Sequence, residues 1–125
     1  MIGLVIVAHG GLAREYLAAV EHVVGHLDGV VAISIDADHD REAKKQEIKA
    51  AVDSVDSGDG AIVVTDMFGG SPSNLSVPAC AAENRRVIYG ANLPMLVKLA
   101  KSRNKPVGEA VACALEAGRK YINCC

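Results

Sequence analysis

The chain is predicted to be an α/β domain: a parallel sheet covered by helices on both sides. Three observations predict it. Short runs rich in Val and Ile recur at 2–8, 30–35, 61–65 and 87–89. Each is followed by Gly, Asp or Asn and then by a helical pattern, the alternation of βαβ units. The runs are almost continuously hydrophobic rather than alternating, which marks strands buried on both faces.

Taken in order, residues 2–8 form the first strand, ending at His9-Gly10-Gly11. From Leu12 to Leu27, the apolar residues Leu12, Tyr16, Ala19, Val20, Val23 and Leu27 lie on one stripe of a 3.6-residue helix. The second strand, 30–35, runs into Asp36-Ala37-Asp38-His39-Asp40. Residues 40–55 carry many charges around a sparse apolar set, which predicts a solvent-facing helix that ends at the Ser57-Gly58-Asp59-Gly60 turn. The third strand, 61–65, leads to Thr65-Asp66-Met67-Phe68-Gly69-Gly70-Ser71-Pro72. Ser71-Pro72 and Leu93-Pro94 read as helix starts, because a first-turn Pro loses no helical hydrogen bond, and Ser71 is the N-cap candidate. A last helix is expected from about 106 to 118, and 120–125 reads as a short C-terminal edge strand.

Composition narrows the function. With 125 residues, half of them hydrophobic and 22% charged, the chain suits one domain spanning 1–125. A net charge of −2, with Lys and Arg scattered, points away from nucleic acid. The N-terminal apolar run has no basic lead-in and stops at His9, too short for a signal peptide or membrane span, so a cytoplasmic location without membrane insertion is expected. The four cysteines, at 80, 113, 124 and 125, show no metal-finger spacing and read as reduced thiols.

In an open α/β sheet, ligands sit beyond the carboxyl ends of the strands, which singles out the loops 8–12, 36–40, 65–71 and 90–94. His9 follows a buried strand and precedes two glycines and a helix N-terminus, where free N–H groups favour an anion. From position alone it is equally a structural cap or a reactive group. If the third strand lies beside the first, Asp66 reaches His9. A carboxylate on one ring nitrogen then fixes the tautomer and leaves the other free to attack phosphorus. Ser71 and the amides after it would face the phosphoryl oxygens. The phosphate-loop pattern G-x-x-x-x-G-K-[ST], the dinucleotide pattern G-x-G-x-x-G and the esterase pattern G-x-S-x-G are all missing. His22 and His26 lie off the apolar stripe and read as solvated. The 36–40 cluster reads as a helix start, with metal binding and the border of a docking surface as lesser readings.

Three segments together resemble a known family: the strand ending in His9-Gly10, Thr65 to Asn74, and Gly90-Ala91-Asn92-Leu93-Pro94-Met95-Leu96. They are similar to the enzyme IIA domains of the mannose (mannose–fructose–sorbose) class of the phosphoenolpyruvate-dependent sugar phosphotransferase system. The resemblance implies a doubly wound, mostly parallel four-stranded sheet and a phosphocarrier that needs no cofactor or metal. It implies that the carrier protein HPr phosphorylates His9, that Asp66 orients the ring, that Ser71 contacts the phosphoryl group, and that an enzyme IIB domain is the acceptor. Gly10, Gly69, Gly70 and Asn92 are expected in the phosphate-binding loops. The resemblance also implies a homodimer in which 120–125 adds to the partner's sheet. Two rival readings are a signalling module in which His9 phosphorylation selects a regulatory partner, and the phosphotransfer subunit of dihydroxyacetone kinase.

Overall fold

The computed structural model describes residues 1–82 and 84–125. The elements run β1 (Gly3–His9), α1 (Leu12–Val24), β2 (Val30–Ile35), α2 (Arg41–Val55) and β3 (Ala61–Thr65). They continue with α3 (Ser71–Ser76), a 3-10 turn (Val77–Cys80), β4 (Arg85–Ile88), α4 (Leu93–Lys101) and α5 (Val107–Lys120). The four strands form one sheet in the order β2-β1-β3-β4, with every pairing parallel.

Two apolar layers hold the sheet. Leu4, Ile6, Ala8, Ile62, Val64 and Ile88 face α1, α4 and α5, where Val20, Leu96, Leu99 and Ala110 complete the layer. Val5, Val7, Ile33, Ile35 and Val63 face the other side, against Ile48 and Val52 of α2 and Leu75 of α3. The strands therefore read as continuous hydrophobic runs because alternate side chains enter different cores, and neither core is solvent. The chain leaves β1 toward β2 and returns on the far side of β1 as β3. This reversal opens a crevice above the carboxyl ends of β1 and β3.

Several element ends differ from the sequence reading. The first helix stops at Val24, where Gly25 takes φ +92 and its N–H returns to the Glu21 carbonyl at 2.8 Å. Leu27 still packs on the core, from the loop. α2 starts as expected, with the Asp40 carboxylate accepting from the Ala43 N–H at 3.0 Å. β4 begins two residues early because Arg85 is anchored by Asp53 at 2.8 Å and Asp56 at 3.0 Å. The C-terminal edge strand is corrected: α5 runs on to Lys120, and residues 121–125 join no strand. Arg119 and Lys120 suit the negative end of that helix, and a strand needs a ladder partner that this sheet does not offer the tail.

At the opposite end of the sheet from the His9 loop, α4 and α5 meet the start of β1. The Ile2 N–H donates to the Arg103 carbonyl at 2.8 Å, and the buried Arg103 guanidinium donates through Nε to the Ile2 carbonyl at 2.7 Å. Gly3 lets α2 end directly against β1, since a Cβ there would stand 2.2 Å from the Val55 carbonyl oxygen. Among the described residues no helix is long and apolar enough to cross a membrane.

Candidate functional site

His9 is the last residue of β1, and Gly10 turns the chain away from it with φ +56, a conformation that suits glycine. The Gly10 N–H donates to the Ile35 carbonyl at 3.0 Å, which pins this loop to the end of β2. Gly11 occupies the N-cap of α1 with no side-chain cap, so the first amides of that helix keep their positive end open toward the loop.

The register of β1 with β3 sets Val7 opposite Thr65, which places Asp66 level with the end of β1. Its Oδ2 accepts from the His9 ring Nδ1 at 2.8 Å and from the His9 N–H at 3.1 Å, while Oδ1 accepts from the Met67 N–H at 3.0 Å. Three donors thus fix the carboxylate. Burial opposes its ionisation, but the His9 ring and the backbone amides outweigh burial and hold the Asp66 pKa below its ordinary value. A carboxylate can only accept, so Nδ1 carries the proton and Nε2 keeps its lone pair. The His9 side chain is 49% exposed and that of Asp66 10%. The ring is thus half exposed, while the carboxylate that holds it is nearly enclosed.

Gly69 turns the third loop with φ +88. Gly70 has an extended backbone that any residue could adopt, and its requirement is space. A Cβ there would lie 3.1 Å from His9 Cε1 and 3.3 Å from Nε2. Gly70, not Ser71, is the cap position of α3, and Ser71 is its first helical residue. The turn is braced instead by Ser73, whose Oγ accepts from the Gly69 N–H at 3.0 Å and donates to the Gly70 carbonyl at 3.1 Å. His9, Gly10 and Ser71 line one cavity of about 440 Å3 with Ile35, Asp36, Ala37 and His39.

The structure thus brings His9, Asp66, Ser71, Gly10 and Gly70 together, with Gly69 in the supporting turn. Asn92 is corrected. Its Oδ1 accepts from the Met95 N–H at 3.0 Å as the N-cap of α4, and its Nδ2 donates to the Gly118 carbonyl at 2.8 Å. Both ends of the amide serve the α4–α5 junction, where an Asn before a Pro-led helix is a strong cap. His26 lies between Glu21 at 3.1 Å and Asp28 at 3.0 Å on an exposed surface beyond the far end of α1. Among the described residues no three His, Cys, Asp or Glu side chains converge as a metal site.

Four residues take places in the structure that the sequence reading did not give them. Tyr16 counted as one of an apolar stripe, yet its hydroxyl donates to the Ala91 carbonyl at 3.0 Å, and the Ala91 N–H donates to the Thr65 carbonyl at 3.0 Å. Burial, then the Asp66 charge, raises the Tyr16 pKa, so the hydroxyl keeps its proton. Phe68 and Tyr89 meet edge to face at 5.0 Å, with Phe68, in the third loop, 76% exposed. His39 faces the same cavity as His9. A tyrosine on a helix stripe and a histidine in an acidic turn each carry a polar handle, which was the available signal.

Comparison with known proteins follows from this geometry. The family model described as "PTS system fructose IIA component" matches residues 3–115. The mannose-specific EIIAB component of the phosphotransferase system from Escherichia coli K12 is 31% identical over 124 residues, which is 97% of this chain. The chain spans 38% of the length of that relative. Phosphotransferase system component EIIA from Streptococcus agalactiae superposes with a TM-score of 0.89 at 27% identity, covering 99% of this chain and 97% of that one. The mannose/sorbose-specific IIA subunit from Enterococcus faecalis gives 0.88 at 26% identity, covering 99% and 94%.

Proposed function

The chain belongs to the mannose class of IIA components of the sugar phosphotransferase system, and on that premise we propose that it carries a phosphoryl group on Nε2 of His9. The observation that carries the reading is the 2.8 Å bond from His9 Nδ1 to a carboxylate that is itself fixed by two backbone amides. It orients the ring, keeps its proton on Nδ1, and leaves the Nε2 lone pair free on a half-exposed side chain.

In the proposed step the donor is the phosphohistidine of HPr. The Nε2 lone pair attacks phosphorus in line as the donor's P–N bond breaks, and the electrons of that bond return to the donor imidazole. The Nδ1 proton stays between His9 and Asp66, whose negative charge balances the positive charge that develops on the ring. The phosphoryl oxygens lie toward Gly70, Ser71 and the open N-terminus of α1. Transfer to an enzyme IIB domain is the same displacement in reverse, and the Escherichia coli relative carries an A and a B part in its name. Positioning supplies most of the catalysis, because the donor brings its own leaving imidazole and the acceptor brings the next nucleophile.

An open site suits docking by proteins. Met67 and Phe68, 54% and 76% exposed, stand with Tyr89 on the rim, an apolar patch of the kind that marks a protein interface. The tail at 121–125, with Tyr121 and Ile122 exposed, supports a dimer by strand exchange, since its backbone joins no ladder within the chain. This work would take place in the cytoplasm, where HPr is found.

The test is incubation with phosphoenolpyruvate, enzyme I and HPr, followed by intact mass. Wild type is expected to gain one phosphoryl group and His9→Ala none. An unmodified wild type, or equal modification of His9→Ala, overturns the proposal.

A further inference from the structure

The cavity in front of His9 holds a second imidazole. His39 sits in the β2–α2 loop, and its Nδ1 lies 2.7 Å from the Asp36 carbonyl oxygen. The His39 N–H donates to the same carbonyl at 3.3 Å, so ring and backbone are held by one acceptor. A carbonyl oxygen has no proton to give, and Nδ1 must therefore be the protonated nitrogen. The neutral ring then has a bare lone pair at Nε2. Two negative charges arriving on His9 would meet that lone pair unfavourably, whereas an imidazolium would meet them with an N–H and a positive charge.

We propose that His39 is a positioning residue for the phosphorylated form: it takes a proton from solvent at Nε2 when His9 is phosphorylated and holds a phosphoryl oxygen across the shared cavity. The inference rests on His9 being the phosphoryl carrier. The proton balance is one H⁺ taken up from water, released again when the group departs.

The neighbouring charges support uptake. Asp36, Asp38 and Asp40 share the loop, and Asp40 is engaged on the Ala43 N–H. β1 presents His9, and Asp66 after β3 is tied to it. α3 presents the uncharged Ser71. On α1, a guanidinium nitrogen of Arg14 lies 3.5 Å from where a Gly11 Cβ would stand, and this one cation near the first loop opposes uptake against the three carboxylates.

Linkage sets the sign. If the phosphorylated form binds the extra proton more tightly, low pH favours that form, and the advantage fades as pH rises past the titration of an imidazole. Equilibrium phosphorylation by HPr is measured for wild type, His39→Gln and His39→Lys. Wild type is expected to exceed His39→Gln by roughly fivefold near about pH 6 and to converge with it by about pH 8.5. His39→Lys, charged throughout, is expected to keep the advantage across the range.

Nitrogen-15 NMR at a fixed neutral pH supplies the second readout, on protein phosphorylated chemically with phosphoramidate. The charged fraction of the His39 ring is expected to rise with phosphorylation. Superimposed wild-type and His39→Gln curves, or unmoved His39 resonances on phosphorylated protein, overturn the inference. Absence of phosphohistidine by either route overturns the carrier reading with it. Chemical phosphorylation without transfer from HPr overturns the protein-donor reading alone, and the His39 resonances then decide this one.

Discussion

Replacing Gly70 by Ala separates the chemistry of the site from the stability of the fold. The new methyl would stand 3.1 Å from His9 Cε1 and 3.3 Å from Nε2, closer than carbon atoms settle. The His9 side chain is half exposed and has room to swing outward. A retreat of about 0.5 Å would carry its 2.8 Å bond to Asp66 beyond the usual N–H···O range. Hydrogen bonds to charged groups contribute about 1.5–3 kcal/mol, and losing most of one lowers the phosphorylation rate by roughly ten- to thirtyfold. The backbone at Gly70, φ −91 and ψ 178, accepts Ala without strain. Restricting the unfolded chain then stabilises by about 0.4–1 kcal/mol, which largely offsets the crowding, so the melting temperature moves by a few degrees at most. The assay is a time course of phosphoryl incorporation from HPr by intact mass, with a thermal melt on the same preparation. Incorporation at the wild-type rate refutes the claim that Gly70 keeps space for the ring. A slow variant that also melts far below wild type refutes the separation and assigns Gly70 to the fold.

Two further outcomes are expected. Asp66→Asn offers one oxygen where the carboxylate serves donors on both sides, so an amide N–H must face either His9 or Met67, at about 1–3 kcal/mol. Because the folded pKa of Asp66 is held down, its stabilisation is full above the ordinary carboxylate pKa and is lost as pH falls through the lowered value. Urea melts should therefore show a gap between wild type and Asp66→Asn at neutral pH that narrows by about pH 3, and a gap that is constant with pH would contradict this. Arg103→Met removes donors to the Ile2 and Gly29 carbonyls at the opposite end of the sheet. A loss of about 1–3 kcal/mol in urea, with His9 phosphorylation at the wild-type rate, is expected.

The strands were legible because apolar runs without alternation can be satisfied only between two cores, and residues 3–9, 30–35 and 61–65 sit between them. The pairing of His9 with Asp66 was half legible. Both residues end strands, but their contact depends on β3 lying beside β1, and local periodicity carries no information on strand order. The resemblance to a known family supplied that neighbour. The cap role of Asn92 was hidden for a related reason: an Asn before Leu-Pro is read as readily as a site residue as a cap, and its bond to Gly118 joins positions 26 residues apart. Ser71 and Ser73 compete as braces of one short turn, and spacing alone does not decide between them. The edge strand at 120–125 failed because strand formation depends on a partner and not on the segment itself.

β1 is paired on both edges, by β2 and β3, and its residues from Gly3 to Ala8 are all buried. Such a strand belongs to the last part of a protein to open, so the imidazole at its end rides on the stiffest element of the molecule. In the proposed function the phosphoryl group rides on that strand end and not within a loop. In that function a partner that tells a loaded chain from an empty one would read charge at the end of a rigid strand, and the chain would work as a label rather than as a moving part.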